Sequence, residues 1–406
     1  MELPSILFEI SAAVREAGGR LYLVGGFVRD HRLGRTSKDL DMEVHGLEAK
    51  ALEKLLRRFG NPKEVGRSFG VYKLAVGGSN LDISLPRRDS LPGGQGGGEI
   101  DPFMGLEAAA RRRDLTVNAL FMDPDTGEII DVVEGLADLE TGTLREVDAE
   151  RFSEDPLRAL RAVRLASVLE FELAPSLRGI CRRISLDCPG ERIWLELAGV
   201  LNKAPRPGDA LRLLADLQMV SQVLPGLEGA VDDHLCACMN RAGTLRGEQA
   251  SEAARLVLMV SALLHPVRTP AAVKVLDHLV LHRWAGEAVR TRVLKLIEAA
   301  HDLTLPLDDD ALRRLAESVD LRLFVCLVDS IRGEGLALDS LARLEALGLS
   351  SGPLPLLVGG EDALALGIEE GQQIGALLTK VREAQYAGRV KSREEALAFL
   401  SSLATG

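Results

Sequence analysis

Leu23-Val24-Gly25-Gly26-Phe27-Val28-Arg29-Asp30, followed shortly by Lys38-Asp39-Leu40-Asp41, is the stretch on which the reading of this chain turns. Apolar Leu21, Leu23 and Val24 predict a buried strand, Gly25-Gly26 a tight turn against which a ligand can lie, and Phe27 onward a helix. Backbone N–H groups at such a helix start favour an anion. Asp39 and Asp41 are separated by one residue, so on an extended strand both carboxylates point to the same face, the geometry that holds two hard cations side by side. Two such ions activate an attacking hydroxyl and stabilise departing pyrophosphate, so the combination points to nucleotidyl transfer. Alone, each half is more often structural: a Gly-Gly turn is usually only a turn, and a D-x-D pair a solvated strand or a cap.

Two further segments, Arg112-Arg113-Asp114-Leu115-Thr116-Val117-Asn118-Ala119 and Glu154-Asp155-Pro156-Leu157-Arg158-Ala159-Leu160-Arg161, complete an ordered series. Together the segments resemble the class II tRNA nucleotidyltransferase and bacterial poly(A) polymerase family. The resemblance extends over nearly the whole chain. Asp131, Gly135, Asp138-Leu139 and Leu144-Arg145 fit a hinge-proximal motif, with Val132 where a proline is usual; Glu191-Arg192-Ile193 and Glu196-Leu197 fit the motif that closes the neck. Gly359 to Leu400, including Gly367, Gly371, Ile374-Gly375, Gln385, Gly388 and Arg393-Glu394-Glu395-Ala396, resembles the tail of many members.

The resemblance implies an α+β architecture: a polymerase-β-like nucleotidyltransferase head with a mixed sheet over residues 1–145, then an all-helical neck (146–205), body (206–350) and tRNA-binding tail (351–406). It implies addition or completion of the 3′-terminal CCA of tRNA from CTP and ATP, without a nucleic-acid template. Asp39 and Asp41 would bind Mg2+; Gly25, Gly26 and Arg29 would hold the triphosphate; Arg112 and Arg113 would complete the cationic clamp, with Asp114 and Asn118 on the ribose side. Asp155 and Arg158 would read the incoming base, with Arg161 on the same helix. The physics suits that role, because a carboxylate accepts from the amino group that cytosine and adenine share, whereas uracil and guanine present a carbonyl there. Spacing at i and i+3 would put the pair on one helix face. In isolation, Glu154-Asp155-x-x-Arg158 is an ordinary capped helix start with an ion pair. Asp82, on a neighbouring strand pattern, is open between a third carboxylate near the metals and a solvent-facing residue.

Composition agrees with a large enzyme but does not name one. The 406 residues are 46% hydrophobic and only 4% aromatic, enough to build about two to four units and too few rings for base-stacking platforms to dominate. A net charge of −11 means that any RNA surface must be a local basic patch, because phosphate contacts need Lys and Arg. Candidates are the Arg158, Arg161, Arg164 helix face and the stretch with Lys274, Arg283, Arg290, Arg292 and Lys295. The second of these reads more simply as solvated amphipathic helices. Five cysteines over this length do not make a disulfide framework, and Cys236-x-Cys238 lacks a second pair at zinc-finger spacing. Met1 to Gly18 has no basic leader before an apolar run, and no apolar stretch approaches membrane-spanning length. A cytoplasmic location is expected.

Up to Arg145, runs such as Val71 to Val76 and Leu81 to Leu85 alternate with helical patterns; beyond it strand signals almost vanish. Helices are expected over Glu154–Val168, Ile193–Leu201, Leu211–Leu217, Ala253–Leu264, Ala311–Leu327 and Ala376–Ala387. Breaks fall at Pro205-Arg206-Pro207-Gly208 and Ser350-Ser351-Gly352-Pro353, and Ser392 with Glu395 predicts a capping box. The segment Pro92-Gly93-Gly94-Gln95-Gly96-Gly97-Gly98 lacks the Lys-Ser/Thr of a P-loop and reads as a mobile loop after Arg87-Arg88-Asp89. In the resembled family a flexible loop here reshapes the site for adenosine; this one is shorter and dominated by glycine, which leaves full CCA, CC-only and A-only addition open. A phosphohydrolase domain found in some relatives is not expected to work: Pro266 follows His265 where an aspartate belongs, and His234 reads as isolated. Against a poly(A) polymerase, Val65 to Val71 lacks an extended basic signature; against a catalytically idle RNA-binding protein stand Asp39, Asp41 and the clamp arginines.

Overall fold

In Leu40-Asp41-Met42-Glu43-Val44-His45 the apolar residues alternate with polar ones, and a strand with that pattern must bury one face and leave the other for chemistry. The computed structural model describes residues 3–36, 40–64, 70–76, 79–88, 99–303, 307–335, 337–369 and 371–404. Asp39, with the segments 65–69 and 89–98, therefore lies outside the described residues. The chain divides into two units, Met1–Cys188 and Pro189–Gly406.

The first unit runs α1 (Ser5–Glu16), β1 (Arg20–Val24), α2 (Gly26–Arg32), β2 (Leu40–His45), α3 (Ala49–Leu56), β3 (Lys63–Glu64), β4 (Val71–Val76), β5 (Ser79–Ser84), α4 (Leu106–Ala110), β6 (Phe121–Met122), β7 (Ile129–Ile130), α5 (Gly135–Thr141), β8 (Thr143–Leu144), α6 (Ala149–Phe152), α7 (Leu157–Leu169), β9 (Glu172–Leu173) and α8 (Pro175–Cys181). Strands β1 to β7 form one mixed sheet in the order β3-β4-β5-β2-β1-β6-β7, in which only β2 and β5 run parallel. Leu40, Met42 and Val44 are buried with Leu21, Leu23, Leu74, Leu81 and Ile83. The apolar stripes of α1 (Leu7, Ile10, Val14) and α3 (Leu52, Leu55, Leu56) are buried with them, and Tyr72 ties the sheet to α3 through a hydrogen bond from its hydroxyl to the Ala49 carbonyl. Truncating a side chain such as the fully buried Met42 to alanine would cost about 2–5 kcal/mol. The opposite face carries Asp41, Glu43, Lys73 and Asp82.

The hinge-proximal motif is a brace. Asp131 accepts hydrogen bonds from the backbone N–H groups of Val133, Gly135 and Leu136, which fixes the start of α5. A Cβ on Gly135 would stand 2.3 Å from the Thr116 carbonyl oxygen, so only glycine lets α5 approach the 3₁₀ turn Thr116–Asn118 this closely. Asp138, buried, accepts from the Thr116 hydroxyl at 2.6 Å and from Arg145 at 3.2 Å. Val132, standing in place of a proline, is 37% exposed, so this departure disturbs no packing.

The second unit is helical among its described residues apart from the short hairpin of Arg283–Trp284 with Glu287–Ala288. Helices Gly190–Lys203, Pro207–Asp216, Glu252–Leu264 and Gln372–Tyr386 occupy the expected places. Pro207, at the first turn of its helix, marks the expected break. The expected helix Ala311–Leu327 is instead two, Asp309–Leu315 and Leu321–Arg332, because Asp320 accepts from the backbone N–H groups of Arg322 and Leu323 and starts the second one afresh. The predicted capping box is half formed: Ser392 accepts from the Glu395 N–H, while the Glu395 carboxylate accepts from Lys391 N–H and not from that of Ser392.

Candidate active site

The turn after β1 closes directly on the polar face of the sheet. Gly25 adopts φ 69° and ψ −138°, a conformation open to glycine and strained for other residues. A Cβ there would lie 3.6 Å from Arg113 Nη1 and 3.8 Å from Asp41 Oδ2, so the turn, the clamp arginine and the strand carboxylate meet at one point. The parallel register of β2 with β5 puts Asp41 opposite Asp82, and opposed residues share a face. Asp82 is thereby on the carboxylate face, where its Oδ2 accepts from Lys73 Nζ at 2.9 Å. Hard carboxylate oxygens in this arrangement suit a divalent cation. Among the described residues no group of three metal-capable side chains gathers, and Asp39 lies outside them.

Glu43 and His45, two functional candidates that sequence reasoning missed, stand behind Arg113. Arg113 Nη2 donates to Glu43 Oε2 at 3.2 Å, and its guanidinium lies 5.5 Å from the centre of the Phe121 ring. His45 Nε2 is 2.9 Å from Glu43 Oε1, and Nδ1 is 2.9 Å from the Met104 carbonyl oxygen. The ring thus bridges the Glu43 carboxylate and the Met104 backbone. Tyr22 and Phe121 pack edge-on to it. Burial pushes the Glu43 carboxyl up, but the His45 hydrogen bond and the charges of Arg113, His45 and Arg112 outweigh it, and its pKa falls below the ordinary value. The available signal was the period of two: Glu43 and His45 continue the face on which Asp39 and Asp41 were read. Arg87 belongs to the same group of charges, its pKa lowered by burial and by Arg112 while Glu43 opposes. Its backbone bridges Ile100, and of the residues between, 89–98 lie outside the described ones.

Arg29, Asn118, Asp114 and Arg161 form a chain of contacts. Arg29, buried, gives Nε and Nη2 to Asp30 within α2 and Nη1 to Asn118 Oδ1 at 2.7 Å, so one of its three bonded N–H groups braces α2 against the 3₁₀ turn. Asn118 Nδ2 lies 3.3 Å from Asp114 Oδ1, which also accepts from the Leu115 N–H at 2.8 Å; Oδ2 accepts from Arg161 Nη1 at 2.8 Å. Burial raises the Asp114 pKa, and the charge and hydrogen bond of Arg161, then Asn118 and Arg158, lower it further than that, so the carboxyl stays ionised below its usual range.

Asp155 and Arg158 are differently placed than a shared helix face implies. Helix α7 starts at Leu157 with Pro156 as its N-cap, and the Asp155 carboxylate, one residue before the cap, accepts from the Leu157 N–H at 3.2 Å. Arg158 donates to the carbonyls of Arg151 at 2.6 Å and Arg112 at 3.1 Å, which ties α7 to the Arg112-Arg113-Asp114 segment.

In the second unit, His234 is not isolated as expected: α-helical packing sets its ring 5.9 Å from that of His265. His265 donates through Nδ1 to the Ala262 carbonyl, and His301 donates to the His265 carbonyl. Burial, with His234 and His301 nearby, holds the His265 pKa below its ordinary value. Cys238, buried beside this group, has its thiol pushed up to about 12 by burial. In the basic stretch, Arg290 pairs with Asp277, and Arg292 with Glu287 and Asp320, the behaviour of a solvated helix surface.

Known proteins are similar to this chain in part of its sequence and in its fold. Residues 21–145 match the family profile of the poly A polymerase head domain. The multifunctional CCA protein of Stenotrophomonas maltophilia is 36% identical over 218 residues, covering 52% of this chain and 52% of that protein. The CC-adding tRNA nucleotidyltransferase of Deinococcus radiodurans is 38% identical over 213 residues, covering 51% of this chain and 56% of that protein. The chain spans about half the length of the curated relatives it matches. Among solved structures, the Bacillus stearothermophilus CCA-adding enzyme in complex with CTP superposes with a TM-score of 0.76 at 24% identity, over 99% of this chain and 98% of that one. The Thermotoga maritima CCA-adding enzyme complexed with tRNA gives 0.70 at 22%, over 99% and 96%. A mixed-sheet head followed by a helical remainder is therefore the fold that the chain shares with these solved structures. Over residues 21–145 the chain is similar to the poly A polymerase head domain, and over about half of its length to the two curated proteins named above.

Proposed function

We propose that the chain is a tRNA nucleotidyltransferase that adds or completes the 3′-terminal CCA of tRNA from CTP and ATP, without a nucleic-acid template and with Mg2+ as cofactor. The observation that carries this is the single sheet face on which Asp41 and Asp82 stand in register while Gly25 and Arg113 close on Asp41. Divalent cations held by Asp39 and Asp41, with Asp82 beside them, would supply activation of the tRNA 3′-hydroxyl and neutralisation of charge at the α-phosphate. The Gly25-Gly26 backbone holds the triphosphate. Arg113, set by Glu43, and Arg112 hold the charge that develops on it. Arg29, Asn118, Asp114 and Arg161 keep that clamp in register with α7. Asp155 and Arg158 read the base at the start of α7, Arg158 with the N–H groups that its two backbone carbonyls leave.

A second reading is addition of CC alone, favoured by the CC-adding relative from Deinococcus radiodurans at 38% identity. Incubation with Mg2+, each labelled nucleotide in turn, and tRNAs ending at the discriminator base, at C and at CC tests both. Addition of C, C and then A supports the full activity, and arrest at CC the second reading. Repeated AMP addition to oligo(A) identifies a poly(A) polymerase instead, and tRNA binding without incorporation an idle RNA-binding protein. We place the protein in the cytoplasm, where Cys181, Cys188, Cys236, Cys238 and Cys326 persist as thiols; no described helix is long and apolar enough to cross a membrane.

A further inference from the structure

We propose that Lys63 and Lys73, with Asn61 and Asn80, form a phosphate subsite for the RNA strand being extended, on the side of the carboxylates away from the triphosphate turn; this rests on the proposed function. Successive ladder pairs put Lys63 opposite Lys73, Lys73 opposite Asp82 and Asp82 opposite Asp41, so one row crosses four strands on the carboxylate face. With strands about 4.8 Å apart, the two lysines begin roughly 5 and 10 Å beyond Asp82. The sheet order β3-β4-β5-β2-β1 puts them on one side of Asp82 and Asp41, and Gly25, at the end of β1, on the other. In-line transfer places the attacking hydroxyl and the departing pyrophosphate on opposite sides of the α-phosphorus. The strand that brings the hydroxyl therefore arrives over β4 and β3.

A cavity of about 350 Å³ opens there, with Asn61, Lys63, Lys73, Asn80 and Asp82 at its edge and the small Ala75 in its lining. Lysines directly opposite one another destabilise a ladder, and of this pair Lys73 is offset by Asp82 at 2.9 Å. A phosphodiester between the two relieves the repulsion, and the asparagine amides can donate to its oxygens or to ribose hydroxyls. In a chain of net charge −11, such a paired cationic step beside the carboxylates is a place where backbone phosphate is preferred over solvent.

A phosphate bound here could belong to the RNA backbone or to the nucleotide and its pyrophosphate, and Lys63 separates the two because it is not the partner of Asp82. The full chain carrying Lys63→Gln, Lys63→Glu or Lys63→Arg is compared with wild type for tRNA ending in CC, by fluorescence anisotropy over a salt series, and for the KM of CTP. The RNA subsite predicts that Lys63→Glu weakens tRNA binding about 3- to 10-fold at low salt, that Lys63→Gln lowers the slope of log K against log salt by roughly 0.7–0.9, and that Lys63→Arg restores both, with the CTP KM within about twofold of wild type. Unchanged tRNA affinity and slope overturn the proposal, and so does a rise in the KM for CTP or weaker pyrophosphate inhibition in place of weaker tRNA binding. A chain that binds tRNA but incorporates no nucleotide fails the proposed function while leaving the Lys63 comparison readable; one that does not bind tRNA overturns both.

Discussion

Replacing Asp114 by asparagine separates a residue that touches the nucleotide from one that holds the clamp together. The Asp114 side chain is 8% exposed and that of Arg161 33%. Asparagine keeps an oxygen for the Leu115 N–H but removes the charge facing Arg161. Breaking a buried pair costs about 3–5 kcal/mol, and since Arg161 is a third exposed and can turn to water the expected loss is nearer to about 2 kcal/mol. For a unit the size of Met1–Cys188, about 2–4 °C per kcal/mol converts this to a fall in Tm of about 4–8 °C. Arg161→Met in the Asp114→Asn background should cost little more than either change alone, because the pair is already broken. The acid limb gives an independent readout. The folded-state pKa of Asp114 lies below its ordinary 3.8, so its contribution is present in full above that value and is lost as pH falls through the lower folded pKa. The Tm of Asp114→Asn should therefore fall less steeply than that of wild type as the pH drops below about 4. An unchanged Tm together with a raised KM for CTP would refute the bracing role and return Asp114 to the ribose side of the nucleotide.

Asp41→Ala should abolish nucleotide incorporation while leaving Tm and tRNA affinity near wild type; turnover within about tenfold of wild type would remove the carboxylate face as the site of chemistry. Glu43→Gln takes away the charge that Arg113 and His45 share, and a charge-assisted hydrogen bond of about 1.5–3 kcal/mol predicts a rise of at least about tenfold in the KM for CTP with tRNA affinity preserved. An unchanged KM would mean that Arg113 is set by something else. Asp155→Ala or Arg158→Ala should admit UTP or GTP beside CTP and ATP in a competition assay; equal weakening toward all four nucleotides would move base choice elsewhere.

The parts of this molecule carried by short-range pattern were legible in its sequence. Arg20–Val24, the Gly25 turn and α2 follow from an apolar run, two glycines and a helical start, and β4 has the bounds its alternation predicts. What escaped depends on register or on tertiary partners. Asp82 could be read as surface or site until the parallel pairing of β2 with β5 set it opposite Asp41. Glu43 and His45 lay on the right face, but their role comes from Arg113 and Met104, distant in sequence. Arg29, Asp114 and Arg158 were read as ligand contacts because charge invites it; burial and their partners show how much of each side chain holds the protein itself. His234 read as isolated because helix packing, not spacing, brings it to His265.

The cations of the head are of two kinds, and the division follows what each must hold. Arg29, Arg113 and Arg161 are half-buried or more, each fixed by a carboxylate or amide on a neighbouring element. A planar guanidinium held that way presents donors in one orientation, which suits a triphosphate that returns to the same place in every cycle. Lys63 and Lys73 stand exposed at the other side of the carboxylates, as point charges on flexible stems. An RNA strand that lengthens by one nucleotide per turn must shift past its contacts while its end stays at the carboxylates, and flexible point charges can follow a phosphate through that shift where a bidentate clamp would arrest it. On the proposed function, the order of the strands would put a stationary substrate on one side of the carboxylates and a moving one on the other.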